Sequence, residues 1–237
     1  MLFKSILKPL AKPNIVVYSR GMKFKSDSKL KCEHLADLVL ECGFVSAASG
    51  LVCLDRRFFF VSDDENAFFE FLLDDESRLT NGRAHSIWND HLPEDHAARK
   101  KLKPDLESLF QIELGDAKGD SSAISLLALP SGSKQNRVKG ALVELSENTQ
   151  LHGVDQSQPG RLISTCEIDV SPLYQVLLEE FADLNIEGAV VSANKVLLMQ
   201  RGNSLSRVNA IIELDREVVV DELLKFRKIS SRSLRKT

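Results

Sequence analysis

The sequence predicts an all-β protein built from repeated sheets, and three observations carry that prediction. Short apolar runs with the same polar marks recur three times, the turns between them are rich in Gly, Ser and Asp, and their order is kept each time. The clearest copies are Asn66–Phe71, Gly140–Leu145 and Asn209–Leu214, whose shared Ala67, Ala141 and Ala210 stand 74 and 69 residues apart. Upstream of each lies a second run ending in a polar turn: Phe58–Asp64, Ile124–Ser133 and Val196–Asn203. Gly132 to Val138 matches Gly202 to Val208 at equal spacing, and glycine supplies a turn's positive φ without steric cost. A third run precedes these, Ala47–Val52, Asp105–Phe110 and Asn185–Val190, in which Ser49, Glu107 and Glu187 correspond.

Three antiparallel strands in fixed order, with a fourth in spacers such as Arg161–Val170, describe a β-propeller with blades of roughly 70 residues. At that period 237 residues hold about three blades, whereas closed propellers usually have 4–8. The expected architecture is therefore an incomplete propeller, either truncated or completed by another copy. Its parts are a basic N-terminal segment or first strand (1–31), a partial propeller (32–224, repeats near 47–71, 105–145 and 185–214) and a basic tail (225–237). Two helical stretches are expected between strands. Pro93–Lys103 carries good helix formers and stops before Pro104, and Pro172–Leu184 puts Leu173, Val176, Leu177 and Phe181 on one face.

Charge and cysteine bound the function. The net charge of −3 divides into +7 over residues 1–31, +6 over 225–237 and −16 over the body. A body of that sign repels phosphates, so no nucleic-acid partner is expected. No apolar run reaches the roughly 18–20 residues of a membrane span. The N-terminus lacks the continuous apolar core of a secretory signal. Cys32, Cys42, Cys53 and Cys166 form no C-x-x-C pair and read as reduced core thiols, which places the protein in the cytoplasm. His85, His91 and His96 have no metal-site spacing and read as part of a solvated inter-blade loop.

In a propeller the first strand of each blade lines the channel. Glu107 and Glu187 then converge, with Asp105 on the same inner strand and Asp63 and Asp64 at the rim. Such a gathering of carboxylates suits a hard cation, Ca²⁺ or Mg²⁺. Arg137, Arg201 and Arg207 occur in equivalent turns, beside Gly132 and Gly202, and suit a carboxylate or phosphate, since a guanidinium binds two oxygens at once. The residues leave structural alternatives open: the acids as caps of neighbouring amides, and the arginines as partners of acids between blades.

Ala48–Leu51 with Ser62–Asp64, Lys103–Leu109, Pro130–Ser133 with Arg137, and Asn185–Gly188 with Gln200–Asn203 together resemble an uncharacterised bacterial β-propeller family, itself distantly similar to phytase-like propellers. The resemblance spans about residues 40–215. It implies a propeller with acidic residues near the axis, a domain of unknown function, and further blades beyond the point where this chain stops. The leading expectation is a ligand-binding or interaction module, holding a divalent cation at the channel and taking a small anionic ligand or a protein partner. The alternative is a metal-dependent hydrolase of phosphate or carboxylate esters, with Asp105, Glu107 and Glu187 as ligands or base.

Overall fold

A computed structural model describes residues 14–16, 38–40, 43–76, 78–88, 91–114, 123–146, 162–203 and 207–233. The strands are β1 (Asn14–Val16), β2 (Val39–Leu40), β3 (Gly43–Phe44), β4 (Ala48–Leu54), β5 (Arg57–Ser62), β6 (Ala67–Leu73) and β7 (Leu79–Ser86). They continue with β8 (Leu106–Ile112), β9 (Ala123–Pro130), β10 (Lys139–Ser146), β11 (Leu162–Asp169), β12 (Ile186–Ser192), β13 (Lys195–Gln200) and β14 (Ala210–Asp215). Among the described residues there are three helices: α1 (His96–Leu102), α2 (Ser171–Leu178) and, after the last strand, α3 (Arg216–Ser233).

The strands form three sheets, each a meander of neighbours in chain order: β4-β5-β6-β7, β8-β9-β10-β11 and β12-β13-β14. The first is extended by β2 and β3, and the third is completed by β1, which pairs antiparallel with β14. This is a propeller-like, mostly β arrangement. Its first strands lie side by side, β8 between β4 and β12. Gly50 makes that closeness possible, because a Cβ there would stand 2.2 Å from the Leu109 backbone nitrogen on β8.

Alternation along the strands explains the core. Phe59, Val61 and Phe68 of the first sheet meet Leu109, Leu126, Ala128, Ala141 and Val143 of the second. Phe59 and Phe68 stack with centroids 5.4 Å apart. Phe110, Leu127 and Leu142 point the other way and join Val196, Leu198 and Ile212 of the third sheet, together with Tyr174 and Leu177 of α2.

Several local expectations need revision. Helix α2 stops at Leu178, so Phe181 and Leu184 are buried by the turn that follows it, and the buried helical residues are Tyr174 and Leu177. The basic stretch 225–237 is entered by a helix, α3, that runs to Ser233. Cys53 is exposed because it alternates with Val52 and Leu54, which pack against the core, whereas Cys166 is half-buried on the core face of its strand, beside Ile168; Cys32 and Cys42 lie outside the described residues. His85 belongs to β7 and not to a loop, with its ring nitrogen facing Glu70. Among the described residues no helix is long and apolar enough to cross a membrane.

Candidate functional site

All three first strands carry an irregularity at corresponding places. The register slips between Ala48 and Leu51, between Leu106 and Ser108, and between Ile186 and Gly188, which leaves Glu107 and Glu187 as extra residues in bulges. Bulges re-aim side chains. At the same end, the chain leaving each second strand bonds back to the first: Asp63 N–H donates to Ala47 C=O, Ser131 N–H to Asp105 C=O, and Arg201 N–H to Asn185 C=O. The Asp63–Asp64 turn, the Ser131–Arg137 turn and the Arg201–Gly202 turn are thereby gathered around the starts of β4, β8 and β12.

The approach to β8 places the central charges. Asp95 caps α1 by accepting from the Ala98 N–H at 2.8 Å. The helix ends before Pro104, which forces Lys103 into an extended conformation (ψ 142°). Asp105 then takes φ 61°, a left-handed conformation that Asp tolerates better than most residues. Lys103 and Asp105 both end up buried.

Lys103 Nζ reaches Asp63 Oδ2 at 2.6 Å, Asp64 Oδ1 at 2.9 Å and Asp105 Oδ1 at 3.2 Å. Burial alone would lower the pKa of this ammonium, but its hydrogen bonds to the three carboxylates outweigh that and raise it above the ordinary lysine value. The other oxygen of Asp105 takes Arg137 Nη1 at 2.7 Å and the Ser131 hydroxyl. Arg137 also donates to Ser133 Oγ at 2.5 Å. Asp63 Oδ1 is buried and has no hydrogen-bond partner.

Glu107 reaches across to the first sheet and accepts from Ser49 Oγ at 3.1 Å. Among the described residues it has no cationic partner. Burial, then repulsion from Asp105 and Glu187, pushes its carboxyl up to about 7, against the lowering effect of the Ser49 bond. Carboxylate oxygens of Asp63, Asp105 and Glu107 lie within 4.8 Å of one another. Glu187 sits on the neighbouring strand, held by Asn185 Nδ2 at 2.5 Å and Arg201 Nη2 at 3.0 Å.

The five acids expected at the channel therefore occupy one end of the first strands, with Asp63, Asp105 and Glu107 closest together. The three arginines occupy separate positions: Arg137 is buried on Asp105, Arg201 lies at the surface on Glu187, and Arg207 is exposed in the following turn. Lys103, which in the sequence closes the helical stretch Pro93–Lys103, is the residue that ties three of the acids together. Its signal was the Lys-Pro-Asp triplet, in which proline fixes the extended geometry between two opposite charges.

A family model described as a family of unknown function (DUF6929) matches residues 44–234, which take in β4 to β14 and the whole of α3 and leave out β1 and β2. The chain belongs to that family. No curated protein matches this DUF6929 member. Among solved structures, a luciferin-regenerating enzyme is similar with a TM-score of 0.33 and 12% identity, over 72% of this chain and 45% of the enzyme chain. The chain thus spans less than half the length of that enzyme, and the likeness carries neither activity nor ligand over to it.

Proposed function

We propose that the end of the first strands binds a divalent cation through Asp63, Asp105 and Glu107, in a binding module whose three sheets are consecutive blades of a β-propeller. The observation that carries this reading is Asp63 Oδ1, a buried carboxylate oxygen without a hydrogen-bond partner among acids that outnumber their bases. Leaving such an acceptor unsatisfied costs about 1–3 kcal/mol, which a bound cation relieves. Calcium–oxygen distances of about 2.3–2.6 Å let two ligands on one ion stand up to roughly 5 Å apart. The 4.8 Å spread of the three oxygens falls inside that reach and suits Ca²⁺ better than the smaller Mg²⁺. Asp64 and Glu187 add negative charge from either side. Arg201, at the surface, is the arginine best placed to meet a small anionic ligand approaching the ion, whereas Arg137 spends its Nη1 on Asp105 and Ser133.

A second reading is favoured by Glu107 alone. A carboxyl near 7 exchanges its proton at neutral pH and suits a general base in hydrolysis of a phosphate or carboxylate ester. The test is a thermal melt in EDTA and again in millimolar Ca²⁺ or Mg²⁺. A ligand at a hundred times its dissociation constant stabilises the folded state by about 2.7 kcal/mol. Cation binding predicts a transition that rises with Ca²⁺. An unmoved transition contradicts it. Turnover of an ester that Glu107→Gln abolishes, with the fold intact, selects the hydrolase.

A further inference from the structure

We propose that Tyr174 is the positioning residue of the Asp105 carboxylate, acting on the cation site through Ser131; the inference rests on the cation reading above. Tyr174 belongs to α2 and is only 1% exposed. Its hydroxyl donates to the Pro130 C=O at 2.5 Å. Its ring lies against Gly132, where a Cβ would stand 2.7 and 2.8 Å from two ring carbons and where φ is +71°. One side chain thus grips the backbone on both sides of Ser131. Burial raises the phenol's pKa, so it remains a donor throughout the accessible pH range.

Ser131 is wholly buried and passes that grip to the site. Its N–H donates to the Asp105 C=O at 2.9 Å, and its C=O accepts from the Ile186 N–H at 2.8 Å. Its hydroxyl donates to Asp105 Oδ2 and lies 2.8 Å from Ser133 Oγ. Ser133 in turn accepts from Arg137, which holds the same Asp105 oxygen. A ligand carboxylate held by a serine and an arginine keeps its direction only while their shared turn stays fixed. Tyr174 fixes it from α2, outside the strands and turns that carry the acids.

Tyr174→Phe keeps the ring and removes the hydroxyl, and Ser131→Ala cuts the same link at its other end. Leu177→Ala is the control, since Leu177 is fully buried in the same helix. The readouts are Ca²⁺ affinity by calorimetry and, in EDTA, hydrogen exchange of the Ser131 and Ile186 amides. Tyr174→Phe and Ser131→Ala are expected to weaken Ca²⁺ binding about tenfold, and Tyr174→Phe to lower protection of the two amides by a similar factor, while the melt in EDTA moves by a few degrees. Leu177→Ala lowers the melt further and leaves affinity and the relative protection of those amides unchanged. Unchanged affinity and protection in Tyr174→Phe, or equal losses in Leu177→Ala, overturn the proposal. If the wild-type protein takes up no Ca²⁺, the cation reading falls, and the two amides alone decide the role of Tyr174.

Discussion

Two groups of buried charge belong to the same pair of sheets and are built on opposite plans. On the first sheet, on the face that Phe59 and Phe68 turn to the second, Arg57 Nη1 meets Glu70 Oε1 at 3.1 Å, and His85 stands 3.4 Å from the other carboxylate oxygen. Acid and base are matched, both side chains are less than a tenth exposed, and each Glu70 oxygen has a partner. At the end of the first strands, Asp63, Asp64, Asp105 and Glu107 face Lys103 and Arg137, four acids to two bases, and one buried oxygen has no partner. A matched pair needs nothing more to be stable in the interior. An unmatched cluster holds an excess of negative charge that only a proton or a cation neutralises, and Glu107, its carboxyl pushed up to about 7 by burial and by Asp105 and Glu187, is the group that takes up the proton. The contrast separates charge that builds the fold from charge kept for a ligand.

The largest effect is expected at the matched pair. Arg57→Ala strands a buried carboxylate and costs about 3–5 kcal/mol, read as a fall of roughly 10 °C in the melt, with Ca²⁺ affinity by calorimetry unchanged. Lys103→Met comes next. It removes the ammonium shared by three carboxylates, so the EDTA melt falls by the equivalent of about 2–4 kcal/mol, and Ca²⁺ restores more stability than it adds to the wild type. If Ca²⁺ gives the variant no greater gain, the ion and the ammonium are not competing for the same charge.

Glu107 gives a smaller, pH-dependent signal. Its folded carboxyl titrates near 7 against an ordinary value of 4.5, so the folded state holds the proton more tightly than the unfolded one. In EDTA, stability is then full below about pH 4.5 and declines as pH rises through 7, by about 1–2 kcal/mol after solvent screening of a half-buried carboxyl. Glu107→Gln should flatten that decline in melts between pH 4 and 8. Ca²⁺ must displace the same proton, so wild-type affinity should rise about tenfold per pH unit below 7 and level off above it. The smallest effect is expected at Arg201, whose side chain is 60% exposed: Arg201→Ala should change stability by less than about 0.5 kcal/mol and Ca²⁺ affinity by less than about twofold.

Much of the strand order was readable in the chain because period-two apolar runs and Gly- or Asp-bearing turns are local signals. The runs around Ala67, Ala141 and Ala210 became β6, β10 and β14 in corresponding places of three sheets. The fourth strand of the third sheet was hidden, because β1 arrives from Asn14–Val16, nearly 200 residues before its partner. The site was less readable for the same reason. Asp63 and Lys103 are 40 residues apart, and Ser49 and Glu107 are 58 apart, so nothing local announces either contact. Arg137 looked available for an anion because the sequence does not show that Asp105, 32 residues earlier, folds beneath it. Cys53 looked buried because an apolar run does not say which of its residues face inward.

The most direct test is a calorimetric titration of Ca²⁺ into EDTA-stripped protein at pH 8, for the wild type and for Asp63→Asn. Saturable binding at one site, weakened at least tenfold in Asp63→Asn while the two melts in EDTA stay close, is the predicted result. No heat from the wild type, or equal binding by both, would contradict a cation site built on the buried oxygen of Asp63.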